Sequence, residues 1–270
     1  MQNSESQWYY RTAPMQVPEC WNLARRHLRL QTLNGKFVKL NKFENRINSR
    51  ELRKYCVKHA PRHVYCSVLT WLFPERVGRK HKARHAYPIG GAYAVDIDSY
   101  LIQRHNIFHQ CWKLNGICRE CINLSRKMTL QLCEVIESYY KKIHIVFSGR
   151  KGFHIWVQDF NLKDWTYYNE RNPIKSHEVA RLKFSSILAA QSYVFDNYHF
   201  PISVDPMRIL AVPNTLNAES GLTCQYIGNR KDLEARSAAK IIESSSWASL
   251  ICARSEPFKA MKLVARKNRG

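Results

Sequence analysis

The chain is short of acids, of long apolar runs and of repeats, and each shortage closes off a class of protein. No stretch approaches the ~20 consecutive apolar residues that span a bilayer, so a membrane partner is not expected. The N-terminus, Met1-Gln2-Asn3-Ser4-Glu5-Ser6, is polar and lacks the apolar segment of a secretory signal. The chain is therefore expected in the cytoplasm, or in the nucleus of a eukaryote, and not outside the cell. No internal repeat and no low-complexity tract is visible, which argues against solenoids and arrays. No amphipathic helix with a clean basic face stands out, which disfavours an acidic membrane surface as the partner.

The acid shortage is the most informative of these. Asp plus Glu number 21 against 43 Lys plus Arg, a formal charge of +22. Such an excess implies a polyanionic partner, with nucleic acid the default. Length (270 residues) allows one large or two small domains, and a hydrophobic content of 45% supplies a sizeable core. Nine cysteines without a secretory signal suggest a reducing compartment.

Three of those cysteines cluster. His109, Cys111, Cys118 and Cys121 form a His-x-Cys-x6-Cys-x2-Cys pattern, two short arms joined by a polar, turn-like loop. That spacing suits a structural tetrahedral Zn²⁺ site, with His105 an alternative fourth ligand. A set of reduced core cysteines is the plainer alternative.

Along the chain, residues 1–60 mix short helical and irregular stretches, with a helix over Glu51–Lys58. Residues 62–73 read as a strand, and Gly78–His85 as a basic loop that either is merely solvated or contacts template or nucleotide phosphate. Helical spacing of apolar residues predicts a helix over 124–141; a cap at Ser176, an early Glu178 and a long run without Gly or Pro predict another over 176–199. The tail beyond Asn229 reads as helical, then basic. Strands, hairpins and helices together predict an α+β (mixed α/β) fold, a mixed sheet with flanking helices.

The richest segment runs from Val95 to Val157. Asp96 and Asp98 stand at i and i+2 of a strand, so both project from one face. The flanking Ala94, Val95 and Ile97 are expected to fill the other. Two such carboxylates can share hard divalent cations, Mg²⁺ or Mn²⁺. A strand-like run over 143–147 then meets a turn holding Gly149, Arg150, Lys151 and Gly152, and a second run follows from Phe153 to Val157. Two glycines allow close backbone approach to a phosphate, and two cations favour one. An acid pair plus a phosphate-gripping hairpin is the layout of a nucleotidyl-transfer site.

Asp-x-Asp followed by Ser148-Gly149-Arg150-Lys151-Gly152-Phe153-His154-Ile155-Trp156 resembles the catalytic small subunit of archaeal and eukaryotic DNA primases, within the archaeo-eukaryotic primase superfamily. Ser203–Asn217 with Ser220-Gly221-Leu222 is similar to a third motif, and the resemblance covers residues 40–228. It implies a primase catalytic core over 61–228, a zinc module inserted at 104–124, an N-terminal part over 1–60 and a C-terminal helical, basic tail over 229–270. It implies Asp96 and Asp98 as ligands of the catalytic Mg²⁺ or Mn²⁺. It also implies Ser148, Arg150, Lys151 and His154 as holders of the incoming triphosphate. The third acid falls on Asp205 if a connection is shortened; an ungapped reading puts His199 there and makes Asp205 a capping residue. Asn217 replaces the family's usual His, Glu219 its usual Lys and Ala211 a basic residue; Arg208 can compensate for the lost charge and join the nucleotide-binding set.

The activity so implied is primer synthesis on single-stranded DNA by two-metal-ion catalysis, from NTPs or dNTPs. A large regulatory subunit or a helicase is a candidate partner. Two alternatives stand beside it: a primer-extending repair polymerase of the same superfamily, and a non-catalytic zinc-containing nucleic-acid-binding protein.

Overall fold

A computed structural model of the chain describes residues 3–13, 15, 17–40, 47–78, 83–98, 117–195 and 199–246. Two antiparallel sheets and a set of helices make an α+β architecture. The first sheet contains β1 (Arg26–Gln31), β2 (Phe37–Lys39), β3 (His63–Trp71), β4 (Pro88–Gly91) and β8 (Ile209–Ala211), in the order β2-β1-β3-β4, with β8 also on β3. The second contains β5 (Tyr93–Asp98), β6 (Ile143–Phe147), β7 (Gly152–Val157) and β11 (Gln225–Gly228), in the order β11-β6-β7-β5. A small hairpin pairs β9 (Leu216–Asn217) with β10 (Leu222–Thr223).

The second sheet is buried on both faces. Tyr93, Val95, Ile97, Ile145, Phe147, Phe153 and Ile155 pack on Leu132 and Ile136 of α3 (Arg119–Glu137) and on Phe184 and Leu188 of α4 (Pro173–Gln191). The opposite face sends Ala94, Val146 and Trp156 into a second core with Trp21, Leu28, Leu30, Val64 and Cys66. Ala94 thus shares the face of Asp96, not the face of Val95 and Ile97 as expected; side-chain alternation requires it.

A buried cation joins the two sheets. The Arg26 side chain donates to the carbonyls of Trp21, Ser67 (2.6 Å) and Val68 (2.9 Å), and its guanidinium lies 5.2 Å from the Trp156 ring centroid. α1 (Asn3–Thr12) and α2 (Ser49–His59) pack against each other and close the first core, with Tyr10 and Leu52 fully buried.

Several expected boundaries move for local reasons. The helix expected at 124–141 is α3, which begins at Arg119, so Cys118 is its N-cap and Cys121 lies in its first turn. The helix expected at 176–199 begins at Pro173, because Asn172 caps it by accepting from the Lys175 N–H and proline suits its first position. Ser176 sits inside it and accepts from the Asn169 N–H instead. It ends at Gln191, where the Ser192 hydroxyl accepts from the Val194 N–H and competes with the helical ladder; α5 (His199–Val204) is separate. Residues 1–60, read as helical and irregular, also hold β1 and β2. After β11 come α6 (Arg230–Glu234) and α7 (Ala238–Ser245), both packed on α3.

Candidate active site

The acid pair sits on β5, the last strand in its sheet's order. Antiparallel register sets Asp96 opposite His154 and Asp98 opposite Gly152 on β7. Gly152 is required by this approach: a Cβ there would stand 2.1 Å from the Ile97 carbonyl oxygen. Gly149 adopts φ +82°, the left-handed region that turns the chain between β6 and β7. The tip is closed by the Ser148 N–H donating to the Gly152 carbonyl at 2.9 Å. Lys151 is 4% exposed, and its carbonyl accepts from the Ser125 hydroxyl at 2.7 Å, which ties the turn to α3.

A cavity of about 330 Å³ brings these elements together. Its wall includes Asp96, Asp98, Ser148, Arg150, Lys151, His154 and Arg208, so seven of the residues expected to bind metal or nucleotide share one space, with Ala211 and Asn217 beside them. Arg208 donates to Asp96 Oδ2 at 2.9 Å, and His154 Nε2 lies 3.5 Å from Asp96 Oδ1. Burial pushes the His154 imidazole down, the neighbouring Asp96 opposes this and Arg208 adds to it, for a net fall below the ordinary histidine range. The ring is therefore neutral near pH 7, and its buried Nδ1 has no hydrogen-bond partner among the described residues.

Asp205 is not brought to this wall. It is exposed just after α5, and its Oδ1 accepts from the Met207 N–H at 2.8 Å, an Asx turn around Pro206. No helix begins directly after it, so it stands in a turn and not at a helix cap. For His199 only the backbone, at the start of α5, is described. His105, His109 and Cys111, like residues 79–82 of the basic loop, lie outside the described residues. Cys118 and Cys121 are described, Cys121 fully buried. Among the described residues, no group of three or more His, Cys, Asp and Glu side chains is placed to hold a metal ion.

The wall also holds Gln31 of β1 and His63 and Tyr65 of β3, which no short motif marks, and Glu219 in the β9–β10 turn, which stands where the family's usual Lys is expected. Glu219 pairs through one oxygen with Arg150 and through the other with Arg62, and His63 Nε2 is 3.8 Å away. Burial pushes its carboxyl up, but Arg150 and Arg62 outweigh that and hold it below the usual carboxylate range. The Ser220 hydroxyl donates to the Gly149 carbonyl, so this turn and the β6–β7 tip are joined.

The polymerase domain of Mycobacterium tuberculosis ligase D, solved in complex with DNA, superposes with a TM-score of 0.51 over 94% of this chain and 93% of that one, at 10% identity. The chain therefore shares the fold of that polymerase domain. No protein-family model matches the chain. The DNA primase small subunit PriS of Pyrobaculum aerophilum is 30% identical over 226 residues, covering 73% of this chain and 69% of that protein. The same subunit of Pyrobaculum calidifontis is 26% identical over 264 residues, 87% of this chain and 80% of that one. The chain belongs to the DNA primase small subunit family.

Proposed function

We propose that the chain is a template-directed nucleotidyltransferase that makes or extends primers on single-stranded DNA. One observation carries the reading: Asp96 and Asp98 line the same cavity as the Arg150–Lys151 turn. This supports a site in which the acids hold divalent cations and the neighbouring cations hold a triphosphate.

The donors present fit a hard divalent ion. Asp96 and Asp98 are carboxylates on one face of one strand, and Asp96 is held in orientation by Arg208. Bound Mg²⁺ or Mn²⁺ would supply activation of a 3′-hydroxyl and neutralisation of charge at the α-phosphate and the leaving pyrophosphate. The chain's own part is positioning and electrostatics. Arg150 offers a planar fork of donors and Lys151 a point charge. Ser148 and the neutral His154 add hydrogen bonds to phosphate oxygens.

A route for template phosphates is supported on the outer surface, where Arg11, Arg50, Arg53, Lys54 and Lys58 line a cleft between α1 and α2. The zinc reading rests on spacing alone: the N-cap Cys118 and the first-turn Cys121, with His109 and Cys111, would hold a structural ion. A large subunit or a helicase is the proposed protein partner. No helix among the described residues is long and apolar enough to cross a membrane.

The test is incubation with single-stranded template, labelled nucleotides and Mn²⁺, with and without a primer. Products without primer establish priming; products only with primer establish extension alone; none in either arm refutes the proposal.

A further inference from the structure

Glu219 occupies an unusual place for an acid. It lines a cavity whose cations are suited to phosphate, and each of its oxygens takes a different guanidinium, one from Arg150 on the β6–β7 turn and one from Arg62 just before β3. Two planar forks converging on one anion is also the geometry that grips a phosphate group. The acid is not locked in. The Arg62, Arg150 and Glu219 side chains are 36%, 35% and 25% exposed, so water reaches the pairs and each is weak. The backbone beneath is firmer: the Glu219 and Ser220 N–H groups both donate to Asn217 Oδ1, at 3.1 and 3.3 Å.

We propose that Arg62 and Arg150 form a two-pronged clamp for the triphosphate of an incoming nucleotide, and that Glu219 is a resident anion displaced when the nucleotide binds. The proposal rests on the nucleotidyl-transfer reading and adds Arg62 to the binding set. A triphosphate carries more charge and more acceptor oxygens than one carboxylate, so it wins the exchange. Until then the acid pairs with both arginines beside the cavity, which lowers the cost of ordering them on binding. The same acid weakens nucleotide binding, because it lowers the clamp's charge and has to be displaced. Glu219 therefore sets nucleotide affinity without touching the acid pair.

The experiment titrates inorganic tripolyphosphate into the metal-free full chain by calorimetry, for wild type, Glu219→Gln, Glu219→Ala and Arg62→Ala, with folding checked by circular dichroism. Loss of two solvent-screened pairs predicts about three- to tenfold tighter binding for both Glu219 variants, and about three- to tenfold weaker binding for Arg62→Ala. The apparent KM for nucleotide should move in the same directions. Unchanged or weaker binding in both folded Glu219 variants, or unchanged binding in Arg62→Ala, overturns the clamp. Because this titration needs no turnover, its outcome is separable from the transfer assay. A chain that extends primers but shows unmoved tripolyphosphate affinities loses the clamp alone. A chain that shows the predicted shifts but adds no nucleotide keeps the anion clamp and loses the transfer reading.

Discussion

A methyl group at position 152 would land 2.1 Å from the Ile97 carbonyl oxygen and 3.0 Å from the Asp98 Cα. Carbon-to-oxygen contacts between neighbouring strands settle near 3.3 Å or more, so Gly152→Ala forces β5 and β7 apart by roughly 1 Å. Overpacking of this kind costs about 1–3 kcal/mol, which a domain of ~5–15 kcal/mol survives. For a chain of this size that is a fall in Tm of about 3–10 °C. The effect on chemistry is larger, because Asp98 is the register partner of Gly152 and moves with the strand. A displacement of about 1 Å at a reacting centre lowers rate on the order of a hundredfold. The assay is Mn²⁺-dependent nucleotide addition at saturating nucleotide, beside a thermal melt of the same preparation. A variant with at least half the wild-type rate and an unmoved Tm would refute the close approach of the two strands. A rate loss that merely tracked the unfolded fraction would refute the coupling to Asp98.

Four further outcomes follow from other parts of the molecule. Asp98→Ala should reduce nucleotide addition by ~100-fold or more while leaving the melt and single-strand binding nearly unchanged; near wild-type synthesis would sink the metal assignment. Burial, aided by Arg29 and Lys39 for His27 and by Arg181 for His177, lowers both imidazoles to about 3. The unfolded chain therefore binds the extra protons between about pH 6.5 and 3, and stability falls with pH there by about 1.4 kcal/mol per unit for each histidine. Urea titrations across this range should show a shallower slope in His27→Gln, and an unaltered slope would contradict the burial. Single-strand binding should weaken steeply with salt, and Arg50→Glu with Lys58→Glu in the α1–α2 cleft should reduce the salt slope by about 1–2; an unchanged slope would place the template elsewhere. Elemental analysis after dialysis should find one zinc per chain, and stoichiometric zinc in a Cys118→Ser, Cys121→Ser double variant would show that its ligands lie elsewhere.

What could be read from the sequence was what lies within a few residues. Asp96 and Asp98 are spaced by the strand period, and Ser148 to His154 form one hairpin, so local geometry brings each set together. Glu219 and Arg62 meet across 157 positions, and only the folding of β3 against the region of β9 and β10 unites them. β1 was hidden by its shortage of apolar residues: Leu28 and Leu30 are its only two, and it opens on the polar, buried pair Arg26 and His27. Asp205 was placed by the resemblance and not by local geometry; the following Pro206 and the Met207 N–H set it in a turn, outside the cavity wall.

The guanidinium of Arg26, seated between the two sheets, has a bearing on how the molecule adapts to substrate. Sliding or opening one sheet against the other would pull this charge from the Trp156 ring of β7, while its bonds to Ser67 and Val68 of β3, in the same sheet as β1, would stay in place. Two turns between strands, 148–151 and 218–221, supply Ser148, Arg150, Lys151 and Glu219 to the cavity wall. Substrate preference in this chain can therefore drift by changes in a handful of turn residues, on a base that need not be rebuilt each time.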